Sequence, residues 1–411
     1  MAEKKKIPEI RFKGFTEEWE EQKLGDFCLI GDIDHKMPKS VIDGIPYLMT
    51  GDFIGTNDLD FENSKHISTE DYEQLSKKIK PEAGDILFAR YASVGAVRYV
   101  ETQRKFLVSY SCAIIKNNDA ANWKYIYYYL QANQVQRQIE LGINTGSQRN
   151  IGIDSLKKLI ILLPQEKEQD NVAIFLTNLD HLITLHQRKY NKLVTVKKAM
   201  LEKMFPQNGA VVPEIRFKGF TEAWEERKLG DVSDLLTGFP FQSKSFIEDG
   251  IPLVRGMNVK RGYLDMSEDI CEYWPSSYGL ESYLLIESDV VIQMDGALIG
   301  KSYAQIQIKN LPALLVQRVT RVRSEKVNCE FIYQCIQRNF LSHIQSIKTE
   351  TAVPHLSLND IRNFKITIPS ANEQSKIGKY FKHLDNLINL QKCELEKLKN
   401  IKKGCLEKMF V

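Results

Sequence analysis

The sequence has no long hydrophobic run and no paired-cysteine motif. Its strongest apolar run, residues 159–163, is far shorter than the roughly 20 residues that a membrane-spanning helix needs. No apolar stretch of a signal peptide follows the N-terminal residues. The seven cysteines are an odd number without a Cys-x-x-Cys pair, which disfavours a disulfide framework and structural zinc. We therefore expect a soluble, cytoplasmic protein with no membrane partner and no metal.

The chain also lacks an excess of charge of either sign. It has 56 Lys and Arg residues against 53 Asp and Glu residues, a formal net charge of +3. Whole-chain electrostatics therefore neither demands nor excludes a polyanionic partner, and any nucleic-acid surface has to be a local patch. The length of 411 residues suits two or three domains rather than one.

Catalytic signatures are missing as well. The chain contains no Gly-x-Gly and no Pro-Pro, so it has neither the glycine-rich cofactor loop nor the Pro-Pro motif of an amino-group methyltransferase. Residues 295–302 come nearest to a phosphate-binding loop but begin with Asp instead of Gly, which indicates a turn after a strand. His181 and His186 lie five residues apart and so on different faces of a helix, which makes them poor metal ligands. We predict no catalytic residues in this chain.

A long internal repeat organises the sequence. Residues 8–26 read PEIRFKGFTEEWEEQKLGD and residues 213–231 read PEIRFKGFTEAWEERKLGD, an offset of 205 residues. The same offset relates LEKMF at 201–205 to LEKMF at 406–410. Two copies of one unit therefore fill the chain, with matching ends and divergent middles. This divergence indicates one scaffold with two different binding surfaces, and neutral drift after a duplication is the alternative.

The repeat predicts a first module at 1–164, a first long helix at 165–206, a second module at 207–369 and a second long helix at 370–411. Both modules mix strand and helix patterns. Strands are predicted at 85–88, 106–115, 289–292 and 311–322, and helices at 123–138 and 329–345. We therefore predict an α/β fold of the mixed α+β kind with a pseudo-twofold internal repeat.

Each copy ends in a segment whose apolar residues are spaced alternately by three and four, which is typical of a coiled-coil seam. The seam residues are Leu176, Leu179, Ile183, Leu193, Met200, Phe381, Leu384, Ile388, Leu395 and Leu398. A single stripe of this kind usually packs on its own domain. Because both copies keep one register, we predict that the two helices pair with each other.

Cationic, amide and aromatic residues gather in loop-like stretches of both divergent modules. Arg, Asn and Gln can form paired hydrogen bonds to purine edges, whereas Lys and Ser more often bind phosphates. Each stretch alone also suits a solvated loop, and only its occurrence in both modules favours DNA. The candidates are Arg90, Tyr91, Ser93, Ser147, Gln148, Arg149, Asn150, Gln242, Lys244, Arg255, Asn258, Lys260, Arg261 and Arg318.

Together these features resemble the specificity subunit of bacterial type I restriction-modification systems. The resemblance rests on Pro-x-Ile-Arg-Phe-x-Gly-Phe followed by Trp and Lys-Leu-Gly, on Gly-Ile-Pro and Gly-Asp-Ile-Leu-Phe, and on Glu-Gln before a long helix that ends Leu-Glu-Lys-Met-Phe. It covers essentially the whole chain. In the second copy Ser288 replaces the first Gly of Gly-Asp-Ile-Leu-Phe, so we expect a different turn before that strand.

The resemblance implies two target recognition domains that each read one half of a split, asymmetric DNA sequence, with the long helices packed antiparallel as a spacer. The implied partners are double-stranded DNA, two modification (methyltransferase) subunits and restriction (endonuclease/translocase) subunits. S-adenosylmethionine, ATP and Mg are then expected on those partners, and no cofactor on this chain. Phe12, Trp19, Phe217 and Trp224 become packing or partner-docking residues. The residues alone leave open a two-module coiled-coil adaptor without DNA specificity, or an enzyme with an unfamiliar active site.

Overall fold

The computed structural model describes residues 6–117, 121–146, 148–207, 209–347 and 355–411. The chain forms two compact units. Unit 1 comprises Met1–Lys189 and Gln391–Val411, and unit 2 comprises Tyr190–Leu390. Each unit therefore contains one divergent module together with parts of both long helices.

Short strands and helices alternate along both copies of the repeat. The strands of the first copy are β1 (Glu20–Lys23), β2 (Cys28–Gly31), β3 (Ile45–Leu48), β4 (Phe53–Ile54), β5 (Asp58–Leu59), β6 (Lys65–Ile67), β7 (Ile86–Ala89), β8 (Val97–Tyr99), β9 (Leu107–Val108), β10 (Cys112–Asn117), β11 (Ile143–Asn144), β12 (Asn150–Ile151) and β13 (Ile160–Leu163). Its helices are α1 (Leu24–Phe27), α2 (Thr69–Leu75), α3 (Trp123–Tyr129), α4 (Asn133–Leu141), α5 (Ile153–Lys157) and α6 (Glu166–Lys203).

The second copy repeats this plan with fewer strands. They are β14 (Glu225–Lys228), β15 (Asp234–Thr237), β16 (Ile251–Val254), β17 (Tyr273–Trp274), β18 (Val290–Gln293), β19 (Tyr303–Gln305), β20 (Leu314–Leu315), β21 (Val319–Arg323) and β22 (Lys365–Ile368). The helices are α7 (Leu229–Val232), α8 (Cys329–Ile347), α9 (Leu358–Arg362) and α10 (Ala371–Lys408).

The sheets of the two units have the same topology. Unit 1 contains a four-stranded antiparallel sheet in the order β2-β10-β7-β8, and unit 2 contains β15-β21-β18-β19. Each unit also contains a three-stranded sheet, in the order β6-β3-β9 in unit 1 and β17-β16-β20 in unit 2. In both sheets the central strand is antiparallel to one neighbour and parallel to the other. The predicted mixed α/β repeat is therefore confirmed.

The four-stranded sheet is buried on both faces, which explains the continuous apolar runs in its sequence. Successive side chains of a strand point to opposite faces. In β7, Ile86 and Phe88 join the core beneath α3, whereas Leu87 joins the core shared with the second sheet. In β18, Val290 and Val291 divide between two cores in the same way.

Two predictions about strands and turns were wrong. The runs 106–115 and 311–322 each form two short strands that belong to different sheets, separated by turns at 110–111 and 317–318. The turn before β18 does not differ from its counterpart. Ser288 has a φ of +71°, and its counterpart Gly84 has a φ of +95°. The Ser288 N–H donates to the Ile306 carbonyl at 3.0 Å, and the Gly84 N–H donates to the Val100 carbonyl at 2.8 Å, each just beyond the next strand.

The long helices α6 and α10 each have 38 residues and pair antiparallel, so the predicted coiled coil is confirmed. In unit 1 a layer of apolar residues joins them, formed by Leu179, Ile183, Leu395 and Leu398. In unit 2, Leu193 and Met200 of α6 pack in one core with Phe381 and Leu384 of α10.

The two remaining seam residues belong to neither of these two groups, and their assignment to the seam stays a prediction. Leu176 lies in the core of the first module, and Ile388 is half-buried outside the main clusters. Polar pairs interrupt the seam at equivalent repeat positions. Lys402 contacts Asp180 at 2.7 Å in unit 1, and Lys197 pairs with Asp385 in unit 2.

In each copy, an arginine of the matching N-terminal segment forms an ion pair with a glutamate of the long helix. In unit 1 the Arg11 guanidinium donates to both carboxylate oxygens of Glu168 at 2.7 and 2.8 Å. In unit 2 Arg216 does the same with Glu373, at 2.7 Å for both bonds. Because the glutamates are buried, these bidentate pairs are the polar contacts most sensitive to loss of a partner.

The aromatic residues of the repeat ends are packing residues. Trp19 and Trp224 are each 2% exposed. Trp19 packs edge-on against Phe410 in unit 1, with ring centroids 6.5 Å apart, and Trp224 packs against Phe205 in unit 2 at 5.7 Å. Phe12 and Phe217 pack partly buried against the same cores.

Candidate nucleic-acid interface

Three backbone segments meet at one end of the four-stranded sheet in unit 1. The Arg90 N–H donates to the Ser111 carbonyl at 2.8 Å, and the Ile151 N–H donates to the Arg90 carbonyl at 3.1 Å. Tyr91 forms an antiparallel bridge with Asn150. The structure thus brings together the two stretches that the sequence marked in the first module. We call residues 90–91, 110–111 and 150–151 the three-segment edge of unit 1.

The backbone of Arg90 belongs to this edge but its side chain is buried beneath it, which corrects its prediction as a DNA contact. The residue is 5% exposed, and its guanidinium pairs with Asp32 and donates to the Ile151 carbonyl at 2.9 Å. Lys78 and His35 contact the same carboxylate at 3.0 and 3.2 Å. Burial alone would raise the pKa of Asp32, but these hydrogen bonds and the cationic neighbours hold the pKa below its ordinary value.

Aromatic rings cover the buried ion pair. The His35 ring stacks on Tyr110 with centroids 4.6 Å apart, and Tyr91 meets Tyr110 edge-on at 6.3 Å. Tyr91 is half-buried, and the Asn150 side chain, also half-buried, donates to the Gln148 carbonyl at 2.8 Å. The edge therefore presents flat rings and an amide, groups that contact base edges and thymine methyl groups.

The other candidates of the first module have different surroundings. Ser93, Gln148 and Arg149 are exposed, and Arg149 forms an ion pair with Glu140 of α4. Ser147 lies outside the described residues.

Unit 2 has the same backbone arrangement at the equivalent end of its sheet. The Met294 N–H donates to the Arg318 carbonyl at 2.9 Å, and the Leu356 N–H donates to the Met294 carbonyl at 2.7 Å. Asp295 bridges to His355 as Tyr91 bridges to Asn150. The three-segment edge of unit 2 consists of residues 294–295, 317–318 and 355–356.

The side chains on this second edge are charged instead of aromatic. The Asp295 carboxylate pairs with Arg318 through one oxygen and contacts the His355 ring through the other. Burial alone would raise the pKa of Asp295, but the hydrogen bonds from His355 and Arg318 hold it below its ordinary value. The Arg318 side chain is 62% exposed, so its guanidinium is accessible to solvent although one of its nitrogens is paired with Asp295.

The remaining candidates of unit 2 extend from this edge. The Gln317 N–H donates to the Phe239 carbonyl at 2.9 Å, so the loop that carries Gln242 and Lys244 begins beside the edge. Both of these side chains are exposed. Arg261 is exposed and Lys260 is half-buried, in a turn next to β19.

Asn258 serves the fold, which corrects its prediction as a DNA contact, whereas Arg255 stays a prediction. Asn258 has no exposed surface, since its amide accepts from the Arg255 N–H at 3.0 Å and donates to the Asp265 carbonyl at 3.0 Å. Arg255 is half-buried and donates to the Ile270 carbonyl at 2.6 Å. An asparagine buried in this way cannot reach a base, although its amide could form further hydrogen bonds.

The sequence prediction missed three residues of the edges, Tyr110, Asp295 and His355, and also His35, which stacks on Tyr110. A signal existed for Asp295 alone, because it follows the buried strand β18 within two residues. Tyr110 lies inside an apolar run that suggested one strand. Nothing in the local sequence distinguishes His35 or His355 from other surface histidines.

The described residues provide neither a metal-binding group nor a membrane-spanning helix. Within the described ranges, no group of three or more His, Cys, Asp and Glu residues is arranged to hold a metal ion. In the same part of the chain, none of the helices combines the length and the apolar character that crossing a bilayer requires.

Comparisons with known proteins point to one kind of molecule. A family model for the type I restriction modification DNA specificity domain matches residues 16–195 and 221–400. The chain is 26% identical over 413 residues to the type I restriction enzyme MjaVIII specificity subunit of Methanocaldococcus jannaschii, covering 94% of this chain and 91% of that protein. It is 25% identical over 361 residues to the MjaIX specificity subunit of the same organism, covering 84% and 81%.

A solved structure supports the fold. The crystal structure of a type I restriction-modification system S subunit from M. genitalium matches with a TM-score of 0.69 at 17% identity, over 98% of this chain and 99% of that chain. At this identity the likeness concerns the fold alone.

Proposed function

The chain belongs to the family of type I restriction-modification DNA specificity proteins, and from this premise we propose that its two recognition domains each read one half of a split, asymmetric sequence in double-stranded DNA. One observation carries the proposal. The three-segment edges have the same backbone hydrogen bonds in both units but different side chains, with Tyr91 and Asn150 in one and Asp295 and His355 in the other. Two edges with the same backbone arrangement but different side chains suit a DNA site whose halves differ, whereas a palindromic site needs identical domains.

We propose that two modification subunits and restriction subunits bind this chain to form the active complex. The repeat supports two equivalent docking positions. Leu185 in unit 1 and Leu390 in unit 2 occupy the same repeat position and are 46% and 53% exposed. Apolar side chains exposed on a helix surface can pack against a partner subunit. A cytoplasmic location is part of this proposal, because the DNA that such a complex meets lies there.

We also propose that this chain is not itself catalytic, so that S-adenosylmethionine, ATP and Mg belong to the partner subunits. The support is the absence of Gly-x-Gly and Pro-Pro from the sequence. The test is methyl transfer to duplex DNA by the purified chain. We expect no transfer until a modification subunit is added, and transfer by the chain alone would overturn the proposal.

Exchange of recognition domains tests the main proposal. We expect that replacing roughly residues 27–150 with the same region of a relative changes one half of the methylated sequence and leaves the other half intact. The matched control replaces residues 232–355 and is expected to change only the other half. The measurement is mapping of methylated adenines in DNA from cells that carry the complete system. A change of both halves by either exchange would refute separate reading. Salt-independent DNA binding, or none, would instead favour a protein adaptor.

A further inference from the structure

We propose that Arg318 contacts a guanine in the half-site bound by unit 2, and that Asp295 is the residue that positions it. This inference rests on the proposed function, because it assigns one base contact to a domain that binds DNA. Both residues lie on the three-segment edge of unit 2, where the Arg318 carbonyl accepts the Met294 N–H. The backbone contact is independent of the side chain, so any residue could supply it.

The backbone conformation indicates that the arginine side chain serves the surface rather than the fold. Arg318 has a φ of +69°, a left-handed conformation that is costly for residues with a side chain. Over the described parts of the chain, three non-glycine residues have positive φ: Ala92, Ser288 and Arg318. Ala92 directly follows the edge of unit 1. Glycine would fit the turn at 317–318 with less strain, and it would remove the guanidinium.

The contacts of the guanidinium match the recognition of guanine. An arginine has five N–H donors in a planar fork, and guanine offers N7 and O6 as paired acceptors in the major groove. Asp295 holds one nitrogen of Arg318, while the 62% exposed side chain leaves other donors free to point outward. The contact with the Asp295 carboxylate restricts the orientation of the guanidinium before DNA binds. The side chain therefore loses less conformational entropy when it contacts a base.

Asp295 is occupied on both oxygens and so acts through Arg318. Its second oxygen contacts the His355 ring. The carboxylate offsets the positive charge of Arg318, which weakens the attraction of the pair for a phosphate. The pair therefore favours contact with a base over contact with the phosphate backbone, where an unpaired lysine or arginine is more typical.

The test is methylation mapping with the complete system, in which this chain carries Arg318→Ala, Arg318→Lys or Asp295→Asn. We expect Arg318→Ala to reduce discrimination at one G·C pair of one half-site roughly 5- to 150-fold, the range for loss of one bidentate base contact. Arg318→Lys should restore it only in part. Asp295→Asn should relax the same base pair, and Asp295→Glu should recover it. The matched control is Arg227→Ala, which removes an exposed arginine of β14 that has its own acidic partner, Glu225.

Each other outcome overturns the inference in a recognisable way. Uniformly weaker DNA binding with unchanged sequence preference, together with a smaller salt dependence, would mean that Arg318 contacts a phosphate. A large fall in the melting temperature of Arg318→Gly would mean that the side chain supports the fold. If the wild-type system modifies a split sequence that Arg318→Ala leaves unchanged, the assignment is wrong while the proposed function stands. If the wild-type system shows no split sequence, the proposed function itself fails.

Discussion

The buried ion pair between Arg216 and Glu373 provides the sharpest test of how the repeat ends hold unit 2 together. We predict that Arg216→Ala destabilises unit 2 by about 3–5 kcal/mol, because it leaves a buried carboxylate without its counter-ion. The burial and the geometry of the pair support a loss of this size. The Glu373 side chain is 1% exposed, that of Arg216 is 11% exposed, and two bonds of 2.7 Å join them. For a unit of this size the loss corresponds to a fall of about 6 to 20 °C in melting temperature.

Three comparisons separate the loss of this pair from a general effect of removing an arginine. Arg227→Ala removes an arginine whose pair with Glu225 is exposed, and it should change stability by less than about 1 kcal/mol. Replacing both Arg216 and Glu373 with Met should recover most of the loss, because no buried charge then remains. In unit 1, Arg11→Ala should match Arg216→Ala, since it breaks a pair of the same geometry.

The assay is denaturant unfolding of the full chain combined with hydrogen exchange, which reports on each unit separately. Faster exchange in β14 and β22 should accompany Arg216→Ala, while β1 and β13 stay protected. A loss below about 1 kcal/mol for Arg216→Ala would refute the reasoning, because it would show that water replaces the arginine at no cost.

Three further predictions concern other buried groups. Phe410→Ala should destabilise unit 1 by about 3 kcal/mol in thermal unfolding, because this buried ring packs on Trp19; an unchanged melting temperature would contradict that packing. Lys402→Ala should cost about 1–3 kcal/mol in urea unfolding, because Asp180 loses its counter-ion; a change below about 0.5 kcal/mol would show that Asp180 is solvated. Native protein at neutral pH should be alkylated at the exposed Cys393 and not at Cys112, since burial raises the pKa of the Cys112 thiol to about 12; labelling of both in mass spectrometry would contradict this.

The sequence by itself determined the architecture of the repeat. Matching ends at an offset of 205 residues predicted two copies of one fold, and both units have the same sheet order. Spacing by three and four predicted the paired helices. These predictions succeeded because burial imposes a period on the chain, and a period can be read without knowing which elements touch.

The tertiary structure decided which polar residues reach the surface. Arg90 and Asn258 have the residue types of DNA contacts, yet both are buried. Arg90 is paired with Asp32, 58 residues away in the sequence, and Asn258 donates to the Asp265 carbonyl. Conversely, the sequence predicts only a turn at Asp295, whose carboxylate pairs with the exposed Arg318. Residue type shows what a side chain can bind, but its partners are set by which strand ends meet.

The turn that carries Arg318 shows the same limit most clearly. The run 311–322 has the composition of one strand, and it forms two because its halves pair with different sheets, β20 with β16 and β21 with β15 and β18. The polar pair Gln317-Arg318 marks the turn in the sequence but does not show that the two halves join different sheets, since both halves are buried and both are extended. The chain direction must turn between them, and that turn lifts Arg318 out of the core, so only the pairing of distant strands could place the arginine at the edge.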